Sequence, residues 1–364
     1  MSGTIGSSYG RLDRLLSGLG SLQSQYSTLQ QQTTTGKVAD AYAGLGAAAG
    51  QAISLQTATS RSETYTQTIA TLQAKAAVQQ TTLTQINSVA SALAASALTL
   101  SGSNAPGLVA TVANQAKQAL AQVVSLLNTK NGDSYVFAGA DTSNPPVPAP
   151  DQVLTSGLYT QIGAQVASLA AAGAPTASTV IANTVNIAKA LTAGTTIFSG
   201  YLTGPGATAI AGTVEIADGQ RVSLDVSANR NAGVTSDPSI NGTGSAINDI
   251  LRSLSVIANS SDTVAASTGF AALIKDASAT LTSAGSTLTA QAGVIGLTQN
   301  ALTAATASHA SLKTVLTTQL SGLTDVDMAS TISRLQAVGS QLQASYNVLS
   351  ISRNLNLASY LQGG

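Results

Sequence analysis

The chain has 364 residues, no net charge, and only 8% charged residues, against about 25% in ordinary soluble domains. Fifteen Lys and Arg are scattered singly among fifteen Asp and Glu, so there is no basic face and no case for a nucleic-acid partner. The absence of cysteine excludes disulfides, thiolate metal sites and cysteine nucleophiles, and leaves the redox compartment open.

Aromatics make up 3% of the chain and tryptophan is absent. A composition with so few large anchors suits thin layers, with helices packed closely through Ala, Ser, Thr and Leu. The first residues, "MSGTIGSSYGRLDR", lack a basic segment followed by an apolar core, so no secretory signal peptide is expected. Leu12, Leu15, Leu19, Leu22, Tyr26 and Leu29 then alternate steps of three and four, which lays one apolar stripe along a helix. Thr33-Thr34-Thr35-Gly36 ends it, as β-branched residues before glycine commonly do.

Gly36-Lys37 invites a phosphate-loop reading and fails it. That motif needs Gly five residues before the pair and Ser or Thr after the lysine, but Gln31 and Val38 stand there. A second helix is expected from about Ala47 to Leu100, with Ile53, Ile69, Leu72, Leu83, Ile86, Leu93 and Leu100 on its apolar face. Ala76 to Ala116 carries no charge, yet Gln, Thr, Ser and Asn interrupt it. No window approaches the ~20 predominantly apolar residues of a membrane span. After "SGSNAPG", Val109, Val112, Ala116, Leu120, Val123 and Leu127 predict a third helix over about 108–128.

Helical periodicity stops in "TKNGDSYVFAGADTSNPPVPAP". Asn131-Gly132 is a turn signal, Tyr135-Val136-Phe137 is strand-like, and Pro145 to Pro150 reads as an extended linker. All eight prolines lie between Pro106 and Pro238. Proline costs ~3 kcal/mol inside a helix, so the two proline-free flanks fit long helices around an irregular middle. Within that middle, Val214 and Ile216 alternate up to Asp218-Gly219, and Val222, Leu224 and Val226 follow, predicting a hairpin with a type I′ turn. "NTVNIAKALTAGTTIFSGYLTG" is compatible with a short helix and one more strand.

Helices resume at Ser245, first a short one to about Asn259 and then a very long one over about 265–321. Asp325 and Asp327 fit the cap and first turn of the last helix, where carboxylates meet the positive helix end. Its stripe is Met328, Ile332, Leu335, Gly339, Leu342, Tyr346 and Leu349, with Val338, Val348, Ile351 and Leu355 forming a second.

No catalytic constellation emerges. His309 is the only histidine and sits in helical "TAATASHASLK"; Glu63 and Glu215 are the only glutamates and fall in different segments. Asp325 and Asp327 lack the further oxygen ligands of a calcium loop, and no Gly-x-Ser-x-Gly elbow is present. The expectation is a non-enzyme with no cofactor and no metal site. Six stripe residues between Leu12 and Leu29 offset only part of the entropy lost on ordering that arm. It is therefore expected to fold when paired with the C-terminal arm and with neighbouring copies. A two-helix coiled coil closed within one monomer is the alternative.

The layout is mainly α: a long antiparallel helical bundle built from both chain ends, with an inserted small β-containing domain. Its expected divisions are an N-terminal coiled-coil arm at 1–40, a helical core at 41–144, an inserted outer domain with the hairpin at 145–245, the rest of the core at 246–324, and a C-terminal coiled-coil arm at 325–364.

Four segments, in this order, resemble the flagellin-related hook-associated proteins, and among them the hook–filament junction family, hook-associated protein 3. "LGSLQSQYSTLQQQTTTGKVADAYAG" resembles the family's leucine- and glutamine-rich arm ending in a Ser/Thr-Gly-Lys turn. "NGDSYVFAGADTSNPPV" resembles the segment after the third helix, with Tyr135, Phe137 and Gly139 at its aromatic–x–Phe–Ser/Ala–Gly positions. "ADGQRVSLDVSANRNAG" followed by "GSAINDILRSLSVIAN" resembles the return from the outer domain. "LTDVDMASTISRLQAVGSQLQASYNVLSISRNLNLASYL" resembles the flagellin-type C-terminal arm. After Gly36-Lys37, Ala39-Asp40-Ala41-Tyr42 replaces the family's common Asp-Asp-Pro turn.

The resemblance implies a structural subunit of the extracellular flagellum, exported by the flagellar type III apparatus without a cleaved signal peptide. It implies self-assembly, contacts with other hook-associated proteins and flagellin, an export chaperone, and no membrane insertion. The assembly seam would comprise Leu12, Leu15, Leu19, Leu22, Tyr26 and Leu29 with Ile332, Leu335, Leu342, Tyr346 and Leu349. Flagellin itself is the alternative within the same class; a secreted helical adhesin or effector is the alternative outside it.

Overall fold

In a computed structural model, the described residues are 3–101, 107–190, 194–204, 213–224, 226–231, 234 and 242–361, without the side chains of 3–12 and 352–361. The fold is mainly α, with long helices packed on one another and two small two-stranded sheets. The chain divides into two compact units, one formed by 1–64 with 309–364 and the other by 65–308. Four long helices occupy the proline-free flanks: α1 (Gly3–Thr35), α2 (Ala49–Leu100), α9 (Phe270–Thr324) and α10 (Met328–Leu361). Both α2 and α9 contribute residues to both units.

Within 65–308, α2 and α9 run antiparallel. Gln73 reaches Thr303, Gln80 reaches the Ala292 carbonyl, Asn87 reaches Thr289, and Ser278 donates to the Ala94 carbonyl. Ile69, Leu83, Ile86, Leu93 and Leu100 are buried and Leu72 is half-buried, as the α2 stripe predicts. Ile53 lies in the other unit and is exposed. α3 (Leu108–Leu127) buries Val109, Val112, Ala116, Leu120, Val123 and Leu127. It packs on α7 (Ala246–Ala258), whose every residue is buried, and α4 (Gly157–Ser168) and α5 (Ala177–Lys189) also pack on α7. A helix covered all round is the centre of its unit.

Serine and threonine caps fix where these helices begin. Ser156, Thr176, Ser245 and Ser261 each accept from a backbone N–H three residues on, opening α4, α5, α7 and α8 (Asp262–Ala265). Ser199 does the same for α6 (Gly200–Thr203). At the centre, the Arg252 guanidinium is wholly buried. It bonds Asp276 Oδ2 at 3.0 Å, Thr184 Oγ1 at 3.2 Å and Thr280 Oγ1 at 2.8 Å, tying α7 to α5 and α9.

The middle segment differs from expectation in three places. Pro145 to Pro150 is not a free linker: Val147 is buried, its N–H and carbonyl both bond the Asn128 amide, and Pro146 accepts from Ser199 N–H. The aromatic run is strand only at its start, with β1 (Lys130–Asn131) paired to β2 (Ser134–Tyr135); Val136 and Phe137 turn into the core. The main hairpin, β3 (Thr213–Ala217) with β4 (Gln220–Ser223), has positive φ at Gly219 (74°) but not at Asp218. Its turn is therefore not type I′, and the register shifts between Glu215 and Ala217. No further strand occurs among the described residues of 183–204, and α4 has no counterpart in the sequence reading.

The hairpin lies on the α2–α9 pair. Ile216 joins Ile69, Leu302 and Ala305 in a small core of its own, and Tyr65 donates to Asp218 at 2.9 Å. One stretch of 42–100 does reach a mean hydropathy of 1.2 over 18 residues, so by length and composition this helix is apolar enough to cross a membrane. Alanine raises the average despite the interrupting polar residues, and 39% of that window is buried within the protein.

Candidate assembly interface

The unit formed by 1–64 and 309–364 brings the two chain ends together. α1 packs along α10 and the two run antiparallel, with the Tyr26 ring over Gly339 near the middle. A groove between them is lined by Ser24, Gln25, Thr28, Leu29, Arg334 and Val338.

The end of α1 shows how the sequence builds its elbow. The hydroxyls of Thr33, Thr34 and Thr35 donate to carbonyls four residues back, at 2.7, 2.9 and 3.0 Å. Gly36 then takes φ +70°, which glycine adopts without strain, and its N–H closes the helix on the Gln32 carbonyl. The chain next meets the end of α9: Val38 N–H donates to Thr324 O at 2.8 Å, and Val326 N–H donates to Gly36 O at 3.0 Å. Lys37 Nζ lies 2.5 Å from Asp325 Oδ1. Gln32 Nε2 donates to Val38 O, and Gln31 donates to Asp40. A 3-10 turn over Tyr42–Ala48 leads into α2.

Asp327, not Asp325, caps α10: its Oδ1 accepts from Ala329 N–H at 3.0 Å and Ser330 N–H at 3.2 Å. Asp325 serves the elbow instead. The Lys37 ammonium, helped by the Thr324 hydroxyl, holds the Asp325 carboxyl below the usual carboxylate range. Farther along α2 and α9, Ser62 Oγ and His309 Nδ1 are 3.0 Å apart, and Lys313 Nζ lies 2.7 Å from Glu63 Oε1. The single histidine is thus part of a helix seam.

Leu19, Leu22 and Leu29 are half-buried, Leu15 is exposed, and Tyr26 is at the margin of exposure. The Leu12 side chain lies outside the described residues. On α10, Leu342 is buried at 8% exposure and Leu335 and Leu349 are half-buried, whereas Ile332 (40%) and Tyr346 (48%) face outward. The covered face of α10 passes through Thr331, Leu335, Val338, Leu342, Ser345 and Leu349, an unbroken alternation of four and three. Thr331 and Ser345 conceal it from an apolar count. Met328, Ile332 and Tyr346 form an open flank beside it, and Val348 and Ile351 are exposed elsewhere on the helix.

Tyr135, Phe137 and Gly139 belong to the other unit. Phe137 is buried, its carbonyl accepts from Ala228 N–H at 2.9 Å, and Ala138 bridges Ser227. The segment leaving α3 is thereby stitched to the segment returning from the hairpin. Among the described residues, no group of three or more metal-ligating side chains occurs.

The paired helices α1 and α10 thus leave large apolar side chains uncovered. Residues 278–361 match the bacterial flagellin C-terminal helical region. A comparison with curated proteins finds no match. The matched stretch takes in α10 and most of α9. The likeness covers 84 of the 364 residues, those of the C-terminal part of the chain.

Proposed function

We propose that this chain is the subunit that joins the flagellar hook to the filament. One observation carries the assembly part of the reading: α1 and α10 bury a shared seam while Met328, Ile332, Tyr346, Val348 and Ile351 remain uncovered on α10. Large apolar side chains concentrated on one paired element mark an interaction surface, and the flagellin likeness over the same helix supports further copies of flagellar subunits as its partner class. In the assembled structure, the arms 1–40 and 325–364 would form the inner coiled-coil wall. The helical core 41–144 and 246–324 would form the next shell, and 145–245 an outward domain.

The junction assignment rests on the segment with Tyr135, Phe137 and Gly139, which resembles that of junction proteins. The flagellin C-terminal match favours a second reading, the filament subunit itself. Deleting the gene separates the two. The junction reading expects hooks to be present and flagellin to be shed into the medium. Cells whose hooks still carry filaments, lacking only one of several filament materials, would assign the chain to the filament.

A further inference from the structure

The charge-free part of α2, from Ala76 onward, raises a problem of register. Its buried positions are Ala76, Leu83, Ile86, Ala90, Leu93 and Ala97, which share one core with Leu281, Ala284, Leu288 and Ile295 of α9. Such positions repeat at steps of three and four and resemble one another. Sliding one helix by a turn would exchange alanine and leucine for more of the same. Something other than apolar area must fix the alignment.

Two buried glutamines break the repetition. Gln79 on α2 is 0% exposed and Gln291 on α9 is 2% exposed. Gln79 Nε2 donates to the Val136 carbonyl at 2.7 Å, while Gln79 Oε1 has no protein partner. Gln291 Nε2, likewise buried, has none either. One orphan is an acceptor and the other a donor. They occupy the same stretch of the antiparallel pair, because the next residues, Gln80 and Ala292, already bond across it. An unpaired amide surrounded by hydrocarbon is costly. A single buried polar layer is also the best-attested means of fixing helix register.

We propose that Gln79 and Gln291 form a polar register key for the α2–α9 pair, with Gln291 donating and Gln79 accepting, directly or across one water. The key does two things at once. It penalises slipped alignments, in which the two amides would no longer meet. Through Val136 it also ties the alignment to the Tyr135–Gly139 segment that leads out to the middle of the chain. A second notch lies farther along the same pair. Asn87 sits over Gly285 so closely that a Cβ there would be 2.3 Å from its Oδ1, and its amide donates to Thr289.

The chain has no cysteine, so introduced ones label cleanly. Nitroxides on Thr71→Cys and Ser286→Cys of the full chain, both exposed, report the axial offset of the two helices. The parent should give one distance. Gln79→Leu/Gln291→Leu should add a second distance population, displaced by about one helical turn of 5.4 Å. Gln291→Leu alone, which keeps the bond to Val136, should melt lower and show the same second population. A single unchanged distance in either variant overturns the key. So does a double variant that fails to fold, since the pair would then supply stability, not register.

Discussion

Gly36 and the Lys37–Asp325 pair make the elbow between α1 and α2 a set of small, separable contributions. At φ +70° a side chain is strained, so Gly36→Ala should destabilise the paired ends by about 1–2 kcal/mol, read as an earlier melting transition. The ion pair is worth less. Its side chains are 51% and 43% exposed, and exposed pairs contribute roughly 0.2–1 kcal/mol. Because the folded-state pKa of Asp325 is lowered, this contribution is fully present above the unfolded value of about 3.9 and is lost as pH falls through the folded value. Asp325→Asn should therefore melt slightly below the parent at neutral pH. The gap should close as the pH is lowered from about 5 to 2; a gap that persists would assign the effect to shape, not charge. Arg252 lies at the other extreme. Removing a buried partner strands the other charge, so Arg252→Met should cost about 3–5 kcal/mol in urea denaturation, with much of it recovered in Arg252→Met/Asp276→Leu.

Among the elements, α10 carries the most consequential distinction, because its covered face and its open flank lie side by side. Leu342→Asp places a carboxylate in the covered face at the level of Leu19 and Leu22, and should abolish both α1–α10 pairing and polymerisation while the unit of 65–308 keeps its fold. Ile332→Asp is on the flank. It should leave the monomer's melting within about 0.5 kcal/mol of the parent and still reduce polymer recovered by sedimentation; undiminished polymer would rule out the flank as a contact between copies. The elements differ in how far the sequence betrays them. The long helices are plain, since proline is absent and apolar residues recur where α2 and α3 bury them and where α1 half-buries Leu19, Leu22 and Leu29. The α10 seam is obscured because Thr331 and Ser345 occupy it while Ile332 and Tyr346 do not. α4 begins at a Ser156 cap inside a proline-punctuated stretch, with only Leu158, Ile162 and Val166 to mark its buried side. Asp218-Gly219 marks the hairpin but not its turn, because only Gly219 takes a positive φ and the register shifts between Glu215 and Ala217.

At the scale of the whole molecule, the buried core and the thinly covered paired ends are built from different residues. Every member of the two buried hydrophobic clusters falls between Ile69 and Ala305, inside the unit of 65–308. The centre of that unit, α7, is covered by α3, α4 and α5 without help from either terminus. The paired ends hold no comparable cluster among the described residues; their seam is thin and half-covered. A fragment of residues 65–308 should therefore melt cooperatively by circular dichroism, with fraying confined to the cut ends of α2 and α9, and should sediment as a monomer under conditions in which the full chain polymerises. An unfolded fragment would mean that the ends supply stability to the middle. A fragment that still polymerised would move the assembly surface off α1 and α10 altogether. On the proposed reading, a core that folds without α1 and α10 would leave their apolar side chains to be covered by the next subunit.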